Sequence, residues 1–375
     1  MKRQREFAGS HSVILREDLD ELVQALRSKG FTVIGPVVRD GVIVLDSIES
    51  AAELPAGWTD EQAPGRYRLI SNDGAVFAHT VGADSWKRFL NPPEASLYRI
   101  AADGKSFTVP ERTVSETKYA FIGVRPCDLA AIGILDKVFA DGPMADPDYV
   151  ARRSRTFVVA VQCGGVADSC FCTSMNSGPR AGTGFDLALT EIPDATHRFF
   201  VQTGSANGRG MLNAVKHRAA EPVDEEAARA VWDQTVRKVS RKLDTNGLPE
   251  ALTRGTENGV WQSTAAPCLA CGNCTMVCPT CFCCTFEDSA DLSGQIAERR
   301  RKWDSCFSLS FSYIHGGSVR SSLAARFRQR IMHKLAWWHD QFGTSGCVGC
   351  GRCTTWCPAG IDFTREVEKL RVLMQ

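Results

Sequence analysis

The sequence predicts an α+β fold: a mixed α/β domain over residues 1–250, then a mostly helical, cysteine-rich domain over residues 251–375. Three observations carry this expectation. Short apolar runs of strand character alternate with helical patterns through the first two-thirds of the chain. A polar, turn-rich stretch, Asp244–Ala266, interrupts them and reads as a loose connection. Beyond it lie two segments of matched cysteine spacing with a largely helical pattern between them. At 375 residues the chain also exceeds what one hydrophobic core usually organises.

In chain order, Glu17–Ser28 carries Leu19, Leu22, Val23 and Leu26 near helical spacing, and Gly30 stops that helix. Phe31–Val38 and Gly41–Leu45 read as strands joined at Asp40-Gly41. Tyr67–Ile70 and Ala75–His79 are expected to form a second hairpin around Asn72-Asp73-Gly74. Tyr119–Val124 reads as a strand ended by Arg125-Pro126, with a helix over Asp128–Phe139 and Asp128 at its N-cap. Thr156–Val161 and Arg198–Val201 read as strands, and Glu225–Leu243 as an amphipathic helix. Near the C-terminus, Ser321–His339 is helical in pattern.

Charge narrows the function. The 44 Lys+Arg nearly balance the 43 Asp+Glu, which gives no push toward nucleic acid or anionic membranes. The basic runs Arg299–Lys302 and Arg326–Arg330 are consistent with a solvated or partner-facing surface. The first residues lack an apolar secretory core, and no stretch reaches 18 apolar residues. Leu129–Ala140 is short and interrupted by Asp136 and Lys137. A cytoplasmic chain is expected, where disulfides explain 16 cysteines poorly and metal ligation explains them better.

Both cysteine segments read C-x2-C-x2-C-x3-C-P: Cys268, Cys271, Cys274, Cys278 with Pro279, and Cys347, Cys350, Cys353, Cys357 with Pro358. This is the bacterial ferredoxin ligand run for 4Fe-4S clusters. Thiolate is the soft ligand such clusters require, and glycines let the backbone approach. Zinc ordinarily takes two C-x2-C pairs or a Cys/His mixture, so it fits two four-cysteine runs poorly. The pairing predicts exchange of the fourth ligand. One cluster takes Cys268, Cys271, Cys274 and Cys357; the other takes Cys347, Cys350, Cys353 and Cys278. The 68 residues between Cys278 and Cys347 favour a helical ferredoxin over a minimal one.

Four further cysteines follow strands. Cys127 lies just beyond Tyr119–Val124, and Cys163, Cys170 and Cys172 follow Thr156–Val161. Strand ends are where α/β sheets gather binding groups, so these four are expected to meet if the strands are neighbours. A third iron–sulfur cluster, of 4Fe-4S type, is the expectation; a zinc site and ordinary buried thiols are the alternatives. Cys281, Cys283, Cys284 and Cys306 form no recognised ligand pattern. No strand–G-x-G-x-x-G–helix unit, P-loop, C-x-x-C-H or H-E-x-x-H is present, so no flavin, nicotinamide or catalytic residue of the chain's own is expected. The glycine-rich Ser177–Gly184 reads as a surface turn. The aromatic Leu335–Phe342 is a candidate partner contact, with packing on the ferredoxin core as its alternative.

In "GVRPCDLAAIGILDKVF" from Gly123, "CGGVADSCFC" from Cys163, "CPTCFC" from Cys278, "RRRKWDSC" from Arg299 and "CVGCGRCTTWCP" from Cys347, the chain resembles a known family. It is similar to the beta (iron–sulfur) subunits of cytoplasmic sulfhydrogenase-type NiFe hydrogenases. The electron-transfer subunit of anaerobic sulfite reductase is in the same family. The paired runs are generic; their combination with the R-P-C-D and C-F-C segments is specific. The resemblance implies an electron-transfer subunit between an FAD/NAD(P)-binding diaphorase-type subunit and the small and large NiFe hydrogenase subunits. It implies the eight C-terminal cysteines as ligands and Cys127, Cys163, Cys170 and Cys172 acting together. The runner-up is a relay to a sirohaem subunit in NADH-linked sulfite reduction. A non-redox scaffold stapled by metals is the third reading.

Overall fold

The structure is a computed structural model, and it describes residues 11–103, 106–110 and 116–374. Its largest element is an eight-stranded sheet. In spatial order the strands are Arg218–Ala219, Ser12–Leu15, Arg198–Thr203, Leu187–Ile192, Phe157–Val161, Tyr119–Val124, Thr32–Arg39 and Val42–Ser47. Leu187–Ile192, Phe157–Val161, Tyr119–Val124 and Thr32–Arg39 run parallel to one another, and the outer pairings are antiparallel. The parallel strands are nearly continuous apolar sequence, as burial on both faces demands. Ala120 and Ile122 point into one core with the helix Leu19–Ser28. Phe121 points into the other, with Ile132, Leu135 and Tyr149 from the helices Pro126–Phe139 and Pro147–Ser154.

The C-terminal region packs on a further core. The helices Leu248–Arg254, Val260–Ala265, Leu323–Met332 and Phe363–Leu373 contribute Leu248, Leu252, Trp261, Phe327, Ile331, Val367 and Leu370. This is the mostly helical, cysteine-rich unit expected. It also carries a hairpin, Cys284–Ala290 with Ile296–Trp303, whose second strand pairs with Glu94–Asp103. That hairpin absorbs the first basic run: Arg299 pairs with Asp288, Arg300 with Glu94 and Glu298, and Lys302 with Glu287.

Several local expectations differ. The hairpin partner of Arg66–Ser71 is Trp58–Ala63, not Ala75–His79. Asn72 Oδ1 accepts from the backbone of Gly74 and Ala75, and the N–H groups of Val76 and Phe77 are taken by the buried Glu191 carboxylate at 2.6 and 2.8 Å. With those donors used, no ladder forms there. The Asp244–Ala266 stretch is not loose, because its two helices bury Leu248, Leu252, Trp261 and Ala265. The Pro126–Phe139 helix starts two residues early, with Arg125 as N-cap and Pro126 at its first position. Asp128 therefore lies inside the first turn and pairs with Arg352 at 2.9 Å. Leu335–Phe342 follows the packing alternative: Trp338 is fully buried, with Leu335 and Ala336 beside it.

Candidate metal centres

The two ferredoxin runs have the same backbone. Ala270 (φ +55) matches Gly349 (φ +63), and Gly272 (φ +73) matches Gly351 (φ +77). Gly272 and Gly351 each open a one-turn helix, Asn273–Met276 and Arg352–Thr355. The Ala270 N–H donates to Cys268 Sγ and the Gly349 N–H to Cys347 Sγ, both at 3.4 Å. The sequence repeat is thus a structural repeat, and each run points an amide at its first sulfur.

Cys268, Cys271, Cys274 and Cys357 line one cavity, with Cys353 at its wall. Cys271 is exposed and Leu269 is 66% exposed, so this cavity lies near the surface. The fourth cysteine of the second run therefore sits with the first run. Cys278 in turn is close to Cys350, and Lys334 stands near both Cys278 and Cys347.

Cys127, Cys163, Cys170 and Cys172 line a second cavity, together with Cys350. Topology explains this convergence. Tyr119–Val124 and Phe157–Val161 pair in parallel, so the loops beyond both strands leave the same sheet edge. A register irregularity between Ile122 and Val124 re-aims the first of them. Arg125, 4% exposed, donates to the carbonyls of Phe77 and His79 beneath Cys163. Pro179 and Gly178 close another wall, and Ser177 Oγ donates to Val348 O. Ser177–Pro179, the near end of Ser177–Gly184, is accordingly part of the site, while Gly182–Gly184 is exposed as a surface turn would be; the glycines and proline carried no signal of the first role.

Of the remaining thiols, Cys281 lies beside Cys278, and Cys283 beside Cys306. Cys284 begins the hairpin strand Cys284–Ala290.

Burial sets the chemistry of the free thiols. It pushes Cys274, Cys347 and Cys172 up to about 12 and Cys350 to about 11. Cys278 moves the other way: a hydrogen bond from Cys281, opposed by burial and helped by the Lys334 charge, pulls it well below the usual thiol range. Ligation as thiolate must therefore release protons at most of these positions. Among the buried donors left without hydrogen-bond partners are Arg330 Nε, in the wall of the first cavity, and Arg352 Nη1, on the side chain that pairs with Asp128. A thiol-walled cavity with an open cationic donor in its wall, as Arg330 provides in the first, fits an anionic, sulfide-bearing cluster.

Residues 267–361 match the 4Fe-4S dicluster domain family. The chain is 30% identical over 363 residues to sulfhydrogenase 2 subunit beta of Pyrococcus furiosus, covering 95% of this chain and 96% of that one. The chain belongs to the sulfhydrogenase beta-subunit family. No solved structure matches it. As a member of this family it is an iron–sulfur, electron-transfer subunit, with iron–sulfur clusters in its C-terminal region. Among the described residues, no helix is long and apolar enough to cross a membrane.

Proposed function

We propose that this beta subunit holds three 4Fe-4S centres in a row. The first is held by Cys268, Cys271, Cys274 and Cys357, the second by Cys278, Cys347, Cys350 and Cys353, and the third by Cys127, Cys163, Cys170 and Cys172. One observation carries the order: Cys353 lines the first cavity while Cys350, three residues away, lines the second, where the third centre is placed. The second run thus stands between the other two sites. When bound, such clusters supply one-electron redox chemistry at sulfur-ligated iron.

The chain's own residues hold this row together. The N–H of Phe171 donates to Gly349 O at 2.9 Å, and Thr355 Oγ1 donates to Gln62 Oε1 at 2.7 Å. Arg352 Nε donates to Gly82 O at 3.0 Å and its guanidinium pairs with Asp128. Each contact ties the second run to the α/β domain, so the division near residue 250 is bridged where the relay crosses it. The partners in this reading are an FAD/NAD(P)-binding diaphorase-type subunit and the small and large NiFe hydrogenase subunits, in the cytoplasm. The activity served is reversible, NAD(P)H-linked hydrogen oxidation.

Anaerobic purification through a tag on this chain tests the reading. It should bring down flavin and nickel in complex and show hydrogen-dependent NAD(P)+ reduction, which Cys350→Ser abolishes. Recovery of a sirohaem subunit without nickel would replace the hydrogenase partner by sulfite reductase. Full activity of the Cys350→Ser complex would refute the row.

A further inference from the structure

Two lysines are buried beside the second centre, and neither has a carboxylate partner among the described residues. Lys334 is 4% exposed and Lys87 is 3% exposed. Lys334 Nζ donates to Thr280 Oγ1 at 2.7 Å and to Gly346 O at 2.9 Å. Thr280 Oγ1 in turn lies 3.2 Å from Cys278 Sγ. Lys334 thus joins the turn after Cys278 to the residue directly before Cys347. Lys87 reaches the same turn from the α/β domain. Its Nζ donates to Cys278 O at 3.1 Å and Cys281 O at 2.9 Å, and lies 3.9 Å from the centroid of the Trp303 ring.

Local structure shows how Lys334 gets there. His333–Trp337 is a π-helical turn between the α-helices Leu323–Met332 and Trp338–Phe342. Such turns are uncommon and recur at functional sites, because the extra residue re-aims side chains that a regular helix would place elsewhere. A buried ammonium is costly unless an anion compensates it. The anions at hand are the cysteine thiolates. Arg330, also buried, is near Cys274 and Cys353 as well as Cys278, so its charge is shared between the first two centres. The lysines are not shared in this way.

We infer that Lys334 and Lys87 are positioning residues that compensate the charge of the Cys278/Cys347/Cys350/Cys353 centre and raise its reduction potential. This rests on the reading that those four thiols hold a cluster. Reduction adds one electron and one negative charge, with no bond made or broken. A fixed positive charge in a water-poor site stabilises the more negative state. The second centre then holds the electron more tightly than it would without the lysines, and serves as the middle store of the row.

The test is an EPR-monitored redox titration of the full, anaerobically reconstituted chain. The second centre is the signal missing from Cys347→Ser. At the potential where the wild-type centre is half reduced, Lys334→Met should raise its oxidised-to-reduced ratio at least tenfold, about 59 mV for a one-electron couple. Lys334→Arg should stay within about threefold of wild type, and the other signals should not move. Lys334→Met with full iron and an unshifted signal would overturn the inference. If that variant loses iron, Lys87→Met must shift the same signal in the same direction; an unshifted signal, or loss of iron there too, overturns it. A wild-type chain lacking any signal that Cys347→Ser removes would instead sink the underlying cluster reading.

Discussion

Gly349→Ala should be far more costly than its backbone angle alone requires. Gly349 has φ +63, and a Cβ there would sit 2.7 Å from Phe171 O and 2.8 Å from Cys172 N. The left-handed conformation costs a residue with a side chain about 1–2 kcal/mol. Forcing a methyl group into a packed contact adds about 1–3 kcal/mol. The expected total is about 2–5 kcal/mol. Gly343→Ala is the control, because Gly343 has φ +67 with nothing within 4 Å of its added Cβ. It should cost only the conformational part, about 1–2 kcal/mol. The first run supplies a natural comparison, since Ala270 already adopts φ +55 at the equivalent place. The assay is guanidinium unfolding followed by far-ultraviolet circular dichroism, on anaerobic protein of matched iron content. Gly349→Ala should also weaken the Phe171 N–H bond to Gly349 O and loosen Cys172 against Cys350. Equal costs for Gly349→Ala and Gly343→Ala would refute the docking of the second run on the Cys170–Cys172 loop.

Two other outcomes are expected. Cys357→Ala should remove iron from the centre of the distant first run while the signal lost in Cys347→Ser persists; loss of that second signal alone would refute ligand exchange. Asp224 is buried and bonded to Arg198 at 2.8 Å and to Arg218 at 2.6 Å, and the Arg218 hydrogen bond holds its carboxyl well below the usual range. Because its folded pKa is depressed, its stabilisation is present above the ordinary carboxylate pKa near 3.8 and fades as pH falls below that. Asp224→Asn should cost about 3 kcal/mol at neutral pH and flatten the acid side of the stability profile; an unchanged profile would contradict the pairing.

Spacing carried the clearest information in the sequence. The two ligand runs, the strand–turn–helix around Cys127 and the central strands were legible because short-range periodicity and cysteine intervals encode them. The pairing of Tyr119–Val124 with Phe157–Val161 was only conditional, since neighbour order is a long-range property. Other features were hidden for physical reasons. Glu191 captures the backbone of Val76 and Phe77 from 114 or more residues away, and nothing local announces it. The helices of Asp244–Ala266 are short and polar on one side, and tertiary burial of Leu252 and Trp261 stabilises them against weak propensity. Leu335–Phe342 stayed open between a partner contact and core packing because a π-turn breaks the period that would have marked its buried face. Gly349 looked like a generic small residue until the Cys170–Cys172 loop was seen lying against it.

A row of three 4Fe-4S centres is tested most directly by iron and acid-labile sulfide per chain, with Mössbauer spectra, on anaerobic material. Three centres of four irons predict about 12 iron atoms and as many sulfides per chain. About 8 irons with stoichiometric zinc would make the Cys127/Cys163/Cys170/Cys172 site structural. About 8 irons with no zinc and four modifiable thiols would leave that site without a metal, and would contradict the row.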